Sequence, residues 1–208
     1  MQYLLFDLDN TLYSARYRLE DNVYQRIAEF IAAYLGVSPE EGMRQRYEQI
    51  GQYGTALEWL RAEKGFMDIE AYYAAIHPPN EADSLPQDPK LRTFLESLHL
   101  PLGILTNSPR EHADRILDKL GVSDLFTHVF DIRWNQFRGK PAPEAFRRVL
   151  EVLGTRPETT LFIDDMPRCV EGYCGIRGKG LLLDEGGIYP DYPGDRIRTL
   201  PELRFFLS

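Results

Sequence analysis

Met1-Gln2-Tyr3-Leu4-Leu5-Phe6 runs straight into Asp7-Leu8-Asp9-Asn10. A compact apolar run that stops at acids is the pattern of a buried parallel strand ending in a polar loop. In open α/β sheets, ligands bind at such strand ends. The pattern returns twice: Leu102 to Leu105 runs into Thr106-Asn107-Ser108, and Thr160 to Ile163 runs into Asp164-Asp165. Three strands therefore deliver polar residues to one expected sheet edge.

Helical spacing follows these strands, with apolar positions three and four apart in Arg110 to Leu120 and in Pro143 to Leu153. Gly121 and Gly154 stand where left-handed C-terminal caps are wanted. Strands alternating with helices predict an α/β core with a parallel sheet covered on both faces. Val129 to Ile132 and Gly180 to Leu183 are two weaker strand candidates. Between about Tyr17 and Ala82 only helical periodicity remains, which predicts a separate all-helical lobe. Ile27, Phe30, Ile31, Tyr34 and Leu35 form an apolar stripe there, and Ser38-Pro39-Glu40-Glu41 is a helix start. Helices are also expected over Thr55 to Lys64 and Asp68 to Ile76, and the polar, Pro-rich stretch His77 to Pro89 reads as a return linker. The expected division is a core of residues 1–15 and 85–208 with a helical insert at 16–84.

Composition bounds the functional classes. With 43% hydrophobic and 27% charged residues, the chain has globular proportions, excluding a disordered or fibrous protein. No apolar run approaches a membrane span, and no signal peptide is evident, so no membrane partner and a cytoplasmic location are expected. A net charge of −8, without a cluster of Lys and Arg, argues against a nucleic-acid polymer as partner. A small anionic substrate needs only a local positive site. Cys169 and Cys174 read as packed or idle thiols rather than a disulfide framework.

Phosphoryl transfer requires a nucleophile in line with phosphorus, an acid for the leaving oxygen, a metal over the phosphate oxygens and further positive donors. Asp7 and Asp9, two apart at a strand end, suit attack and proton donation. Asp164 and Asp165 repel each other unless a cation lies between them, and hard oxygen ligands suit Mg2+. Thr106 offers a hydroxyl, and the residues after it, Asn107 and Ser108, offer N–H groups near a helix start as a phosphate cradle. Lys140, within Gly139-Lys140-Pro141 ahead of a helix, offers a point charge. Each residue alone also has an ordinary reading, as a cap, a turn former or a surface charge. Their order along three strand ends favours the chemical one.

In this order, Phe6-Asp7-Leu8-Asp9-Asn10-Thr11-Leu12, Leu105-Thr106-Asn107, Lys140-Pro141 and Phe162-Ile163-Asp164-Asp165 resemble the four motifs of the haloacid dehalogenase superfamily of phosphohydrolases, over nearly the whole chain. The resemblance implies a Rossmann-like core with an inserted helical cap, Asp7 as nucleophile and Asp9 as general acid and base. It also implies Mg2+ held by the Asp7 carboxylate, the Asp9 carbonyl and Asp165, with Asp164 acting through water. Dehalogenases of the superfamily lack an acid equivalent to Asp9, so its presence favours phosphate chemistry.

Asp9-Asn10-Thr11-Leu12-Tyr13, Ser38-Pro39-Glu40, Tyr53-Gly54 and Ser84-Leu85-Pro86 are similar to the pyrimidine 5′-nucleotidase branch. That likeness implies a nucleoside monophosphate as substrate, with Tyr53 stacking on the base, although Tyr53 and Trp59 equally suit packing between helices. Met166 and Cys169 depart from the branch, which often has Ser and Asn there, and Gly186 to Asp195 has no assigned counterpart. A phosphosugar mutase, a broad phosphate-ester phosphatase and a non-catalytic phosphate-binding or interaction module are the competing expectations.

Overall fold

The computed structural model of the protein describes residues 1–49 and 51–207. The chain divides into two compact units, one formed by Met1–Arg16 with the chain from Leu85 onward, the other by Tyr17–Ser84. The first strand, β1 (Tyr3–Phe6), is buried at every position.

The Tyr17–Ser84 unit holds four α-helices among its described residues: α1 (Leu19–Leu35), α2 (Pro39–Glu48), α3 (Ala56–Lys64) and α4 (Ile69–Ile76). Polar side chains set three of the starts. Ser38, Thr55 and Asp68 accept from the N–H groups of Glu41, Glu58 and Ala71, satisfying donors that have no partner within the helix. Phe30, Phe66 and Tyr72 meet edge to face, with Phe30 5.4 Å from Phe66 and 5.0 Å from Tyr72. Of the predicted stripe Ile31 is fully buried, whereas Tyr34 lies exposed with its hydroxyl on the Lys64 carbonyl.

The other unit continues with α5 (Pro89–Glu96), β2 (Leu102–Leu105), α6 (Arg110–Leu120), β3 (Phe126–Phe130), α7 (Pro143–Leu153), β4 (Thr160–Asp164), α8 (Pro167–Cys174), β5 (Lys179–Leu183) and β6 (Arg196–Ile197). The strands form one parallel sheet in the order β3-β2-β1-β4-β5-β6. Strand order reverses between β1 and β4, and a crevice opens at such a switch point beyond the carboxyl ends of the strands. This is the Rossmann-like α/β architecture expected from the alternating pattern. Leu5, Phe146, Phe162, Cys169 and Tyr173 lie in its core between sheet and helices.

Three departures from the expected elements have local causes. The strand expected at Val129 to Ile132 is observed at Phe126–Phe130, because β3 is an edge strand whose Thr127 and His128 face solvent, so its apolar run is broken. The expected linker ends in a helix start: Asp88 accepts from the N–H groups of Lys90 and Leu91, and Pro89 occupies the first turn. The stretch Gly186 to Asp195 connects β5 to β6, folded around the buried carboxylate of Asp184, which accepts from Ile188 N–H at 2.8 Å and from Arg196 at 3.2 Å.

Candidate active site

Asp7 stands one residue beyond β1, and its N–H donates to the Ile163 carbonyl at 2.8 Å, extending the ladder toward β4. That bond sets Asp7 beside Asp164, the last residue of β4. Carboxylate oxygens of Asp7, Asp164 and Asp165 all lie within 4.8 Å of one another. The Lys140 ammonium is buried beside Asp7 and Asp164, donating to Asp7 Oδ1 at 2.5 Å and to Asp164 Oδ2 at 2.7 Å. It also lies 5.3 Å from the centre of the Phe162 ring.

Electrostatics follow from this crowding. Burial pushes the Asp7 carboxyl up to about 8, Lys140 pulls against it, and the charges of Asp164 and Asp9 raise it further. Burial works against the Lys140 ammonium, but Asp164 and Asp7 outweigh it and hold its pKa above the ordinary lysine value. Asp7, Asp164 and Asp165 bring hard oxygen donors together, a set that fits a small divalent cation such as Mg2+. Within the set, Asp164 is also a clamp, since its Oδ1 accepts from Met166 N–H at 2.8 Å while Oδ2 holds Lys140.

The β2 end supplies the opposite wall. Thr106 is buried, with its N–H on the Phe130 carbonyl, and its hydroxyl oxygen accepts from Ser108 N–H at 3.0 Å, leaving the hydroxyl proton to be donated. Asn107 and Ser108, expected to bind substrate, have their side chains committed inside the protein. The Asn107 amide bonds the Lys140 backbone, and the Ser108 hydroxyl donates to Asp9 Oδ2 at 2.9 Å. Their side chains therefore shape the site from behind. Tyr53 belongs to the Tyr17–Ser84 unit, where its hydroxyl donates to Glu63 at 2.9 Å, and Trp59 is buried in that unit at 1% exposure.

Asp9 carries further partners that sequence reasoning did not assign. Its Oδ1 accepts from the Tyr13 hydroxyl at 2.6 Å and lies 2.7 Å from His112 Nε2. His112 stands among the buried positions of α6 with Ala113, Ile116, Leu117 and Leu120. An ionisable residue on the apolar stripe of the helix after Thr106-Asn107 is the signal that points to it.

The two departures from the branch pattern lie at the start of α8. Met166 brings no side-chain cap to that helix and packs against the core, where a serine would offer a hydroxyl. Cys169 is 3% exposed in the same core, and burial pushes its thiol well above the ordinary range. Cys174 is free and exposed.

Comparison with known proteins gives consistent matches. A family described as "haloacid dehalogenase-like hydrolase" matches residues 1–168. Phosphate metabolism protein 8 of Saccharomyces cerevisiae is 30% identical over 68% of this chain, which spans about half (48%) of that protein. Glyceraldehyde 3-phosphate phosphatase of Methanocaldococcus jannaschii is 28% identical over 96% of this chain and 95% of its own length. Among solved structures, a HAD phosphatase from Thermococcus onnurineus shares the fold with a TM-score of 0.67 at 24% identity, covering 100% of this chain and 98% of that one.

Proposed function

We propose, since this chain belongs to the haloacid dehalogenase-like hydrolases, that it is a Mg2+-dependent phosphomonoester hydrolase in which Asp7 forms a covalent aspartyl-phosphate. The observation that carries the reading is Lys140 bridging Asp7 and Asp164 at 2.5 and 2.7 Å beside Asp165. A surface cation has no reason to be buried there. A cation poised over a buried carboxylate neutralises a phosphate as it approaches.

In this reading a carboxylate oxygen of Asp7 attacks phosphorus, the bond to the leaving oxygen breaks, and Asp9 gives that oxygen its proton. Asp9 then takes a proton from water as the water attacks the aspartyl-phosphate, releasing phosphate and restoring Asp7. The Thr106 hydroxyl donates to a phosphate oxygen, and Lys140 holds the nucleophile and offsets charge. The Asp7 and Asp165 carboxylates and the Asp9 carbonyl would hold Mg2+, which when bound draws charge off the phosphate oxygens.

The finer substrate reading is a nucleoside 5′-monophosphate, pyrimidine preferred, with Tyr53 stacking on the base. It rests on Asp9-Asn10-Thr11-Leu12-Tyr13 and the short matches in the helical unit, which we read as a cap. A second reading, a phosphatase of small sugar or triose phosphates, is favoured by the name of the Methanocaldococcus relative, similar over nearly its full length. Phosphate release from mononucleotides, sugar phosphates and triose phosphates, with and without Mg2+, separates the two. Asp7→Asn should lose turnover on every ester while keeping its far-ultraviolet circular dichroism. Normal activity in that variant refutes the nucleophile assignment.

A further inference from the structure

Asp9 sits on a loop, where Asn10 takes a left-handed φ of 54°. A loop carboxylate can turn about two side-chain torsions, whereas proton transfer demands hydrogen-bond reach to one leaving oxygen. Here both oxygens are pinned. Tyr13 and His112 converge on Oδ1 at 2.6 and 2.7 Å, and Ser108 holds Oδ2 at 2.9 Å. Tyr13 lies four residues on, so it moves with the same loop. His112 belongs to α6, packed on the sheet at 1% exposure, and ties Asp9 to a rigid element. A buried histidine is often only core filling, but an apolar side chain would serve that purpose at lower desolvation cost.

We infer that His112 is a positioning residue for Asp9: its Nε2–H donates to Oδ1 and fixes the carboxyl group in the orientation that serves the leaving oxygen. The inference rests on the phosphatase reading and on Asp9 as its general acid. It makes a demand that a purely structural role does not. Misplacing the acid should slow esters with poor leaving groups, which need a proton, more than those with good leaving groups, which depart as anions. For a covalent mechanism kcat/KM reports steps up to the first committed one, here transfer to Asp7, so the comparison isolates the acid.

The test compares nitrophenyl phosphate with a simple alkyl phosphate in His112→Gln and His112→Asn. The glutamine amide reaches the place of Nε2, whereas the shorter asparagine amide does not. His112→Asn should lose about 30-fold in kcat/KM on the alkyl ester and about threefold on the aryl ester, and His112→Gln should recover most of the alkyl loss. Should His112→Asn fail to fold, as judged by aryl turnover, His112→Leu takes its place with the same expected ratio. Equal losses on both esters, or an unaltered alkyl rate, would overturn the inference while leaving the phosphatase reading intact. No phosphate release by the unsubstituted chain from either ester would remove both.

Discussion

The side-chain amide of Asn107 bonds the backbone of Lys140 in both directions, accepting from its N–H at 2.8 Å and donating to its carbonyl at 2.9 Å. This pairing ties the end of β2 to the loop before α7, and so sets the height at which the Lys140 side chain enters the acid cluster. The fit is close. A Cβ on Gly139 would lie 2.2 Å from Asn107 Oδ1, so the neighbouring position has no room for a side chain.

Asn107→Leu and Gly139→Ala should therefore share a phenotype. Each displaces Lys140 without removing it, and a misplacement of about 1 Å can cost about a hundredfold in rate. We expect kcat to fall about ten- to hundredfold in both, with secondary structure retained. Wild-type kcat in either variant, measured by steady-state phosphate release, would show that the pairing is dispensable.

Lys140→Met leaves the Asp164 carboxylate, and Asp7 wherever it is ionised, buried without a cation. Removing one partner of a buried ion pair costs about 3–5 kcal/mol, so urea unfolding in chelator should move to lower denaturant. Lys140→Arg should not restore activity, because a planar guanidinium cannot replace a compact ammonium held between two carboxylates. Activity near wild type in Lys140→Arg would contradict this geometry.

Asp7 gives a pH dependence with a definite sign. Burial raises its pKa from 3.8 to about 8, so the metal-free fold favours the protonated carboxyl. The native state binds that proton more tightly than the unfolded chain does, and stability falls as pH rises between these two values. Thermal melting in EDTA should accordingly occur at lower temperature at pH 8.5 than at pH 6, about as far as this single group contributes. Mg2+, which binds ionised carboxylates, should raise the melting temperature more at the higher pH. A Mg2+ effect that shrinks with rising pH would contradict the raised pKa.

Asp184 separates stability from chemistry. Its side chain is fully buried and collects Ile188 N–H, Tyr189 N–H and Arg196 at the β5–β6 connection. Asp184→Ala should cost about 2–4 kcal/mol in urea unfolding while changing kcat less than about threefold, since no group of the acid cluster bonds to it. A large kcat loss in a folded variant would place this connection in the chemistry.

Much of the fold, and of the placement of the candidate site, was legible in the chain itself. Asp7, Thr106 and Asp164-Asp165 each end an apolar run, and a buried strand must end where polar groups can be satisfied, so the carboxyl edge of a parallel sheet follows from the pattern. The edge strand was harder to read, because Thr127 and His128 face solvent and interrupt the signal of burial.

What the sequence determined by itself is the set of acidic and polar residues at the strand ends and the order in which the strands carry them. Only the tertiary structure decided how those groups are held. Lys140 meets Asp7 across 133 residues, Ser108 meets Asp9 across 99 and His112 meets Asp9 across 103. Local propensity acts within a turn or two of chain, whereas side-chain hydrogen bonds depend on register between strands and on which helix face is buried. For that reason the chain by itself points to the backbone N–H groups of Asn107 and Ser108 but not to their side chains, which the fold sets against Lys140 and Asp9.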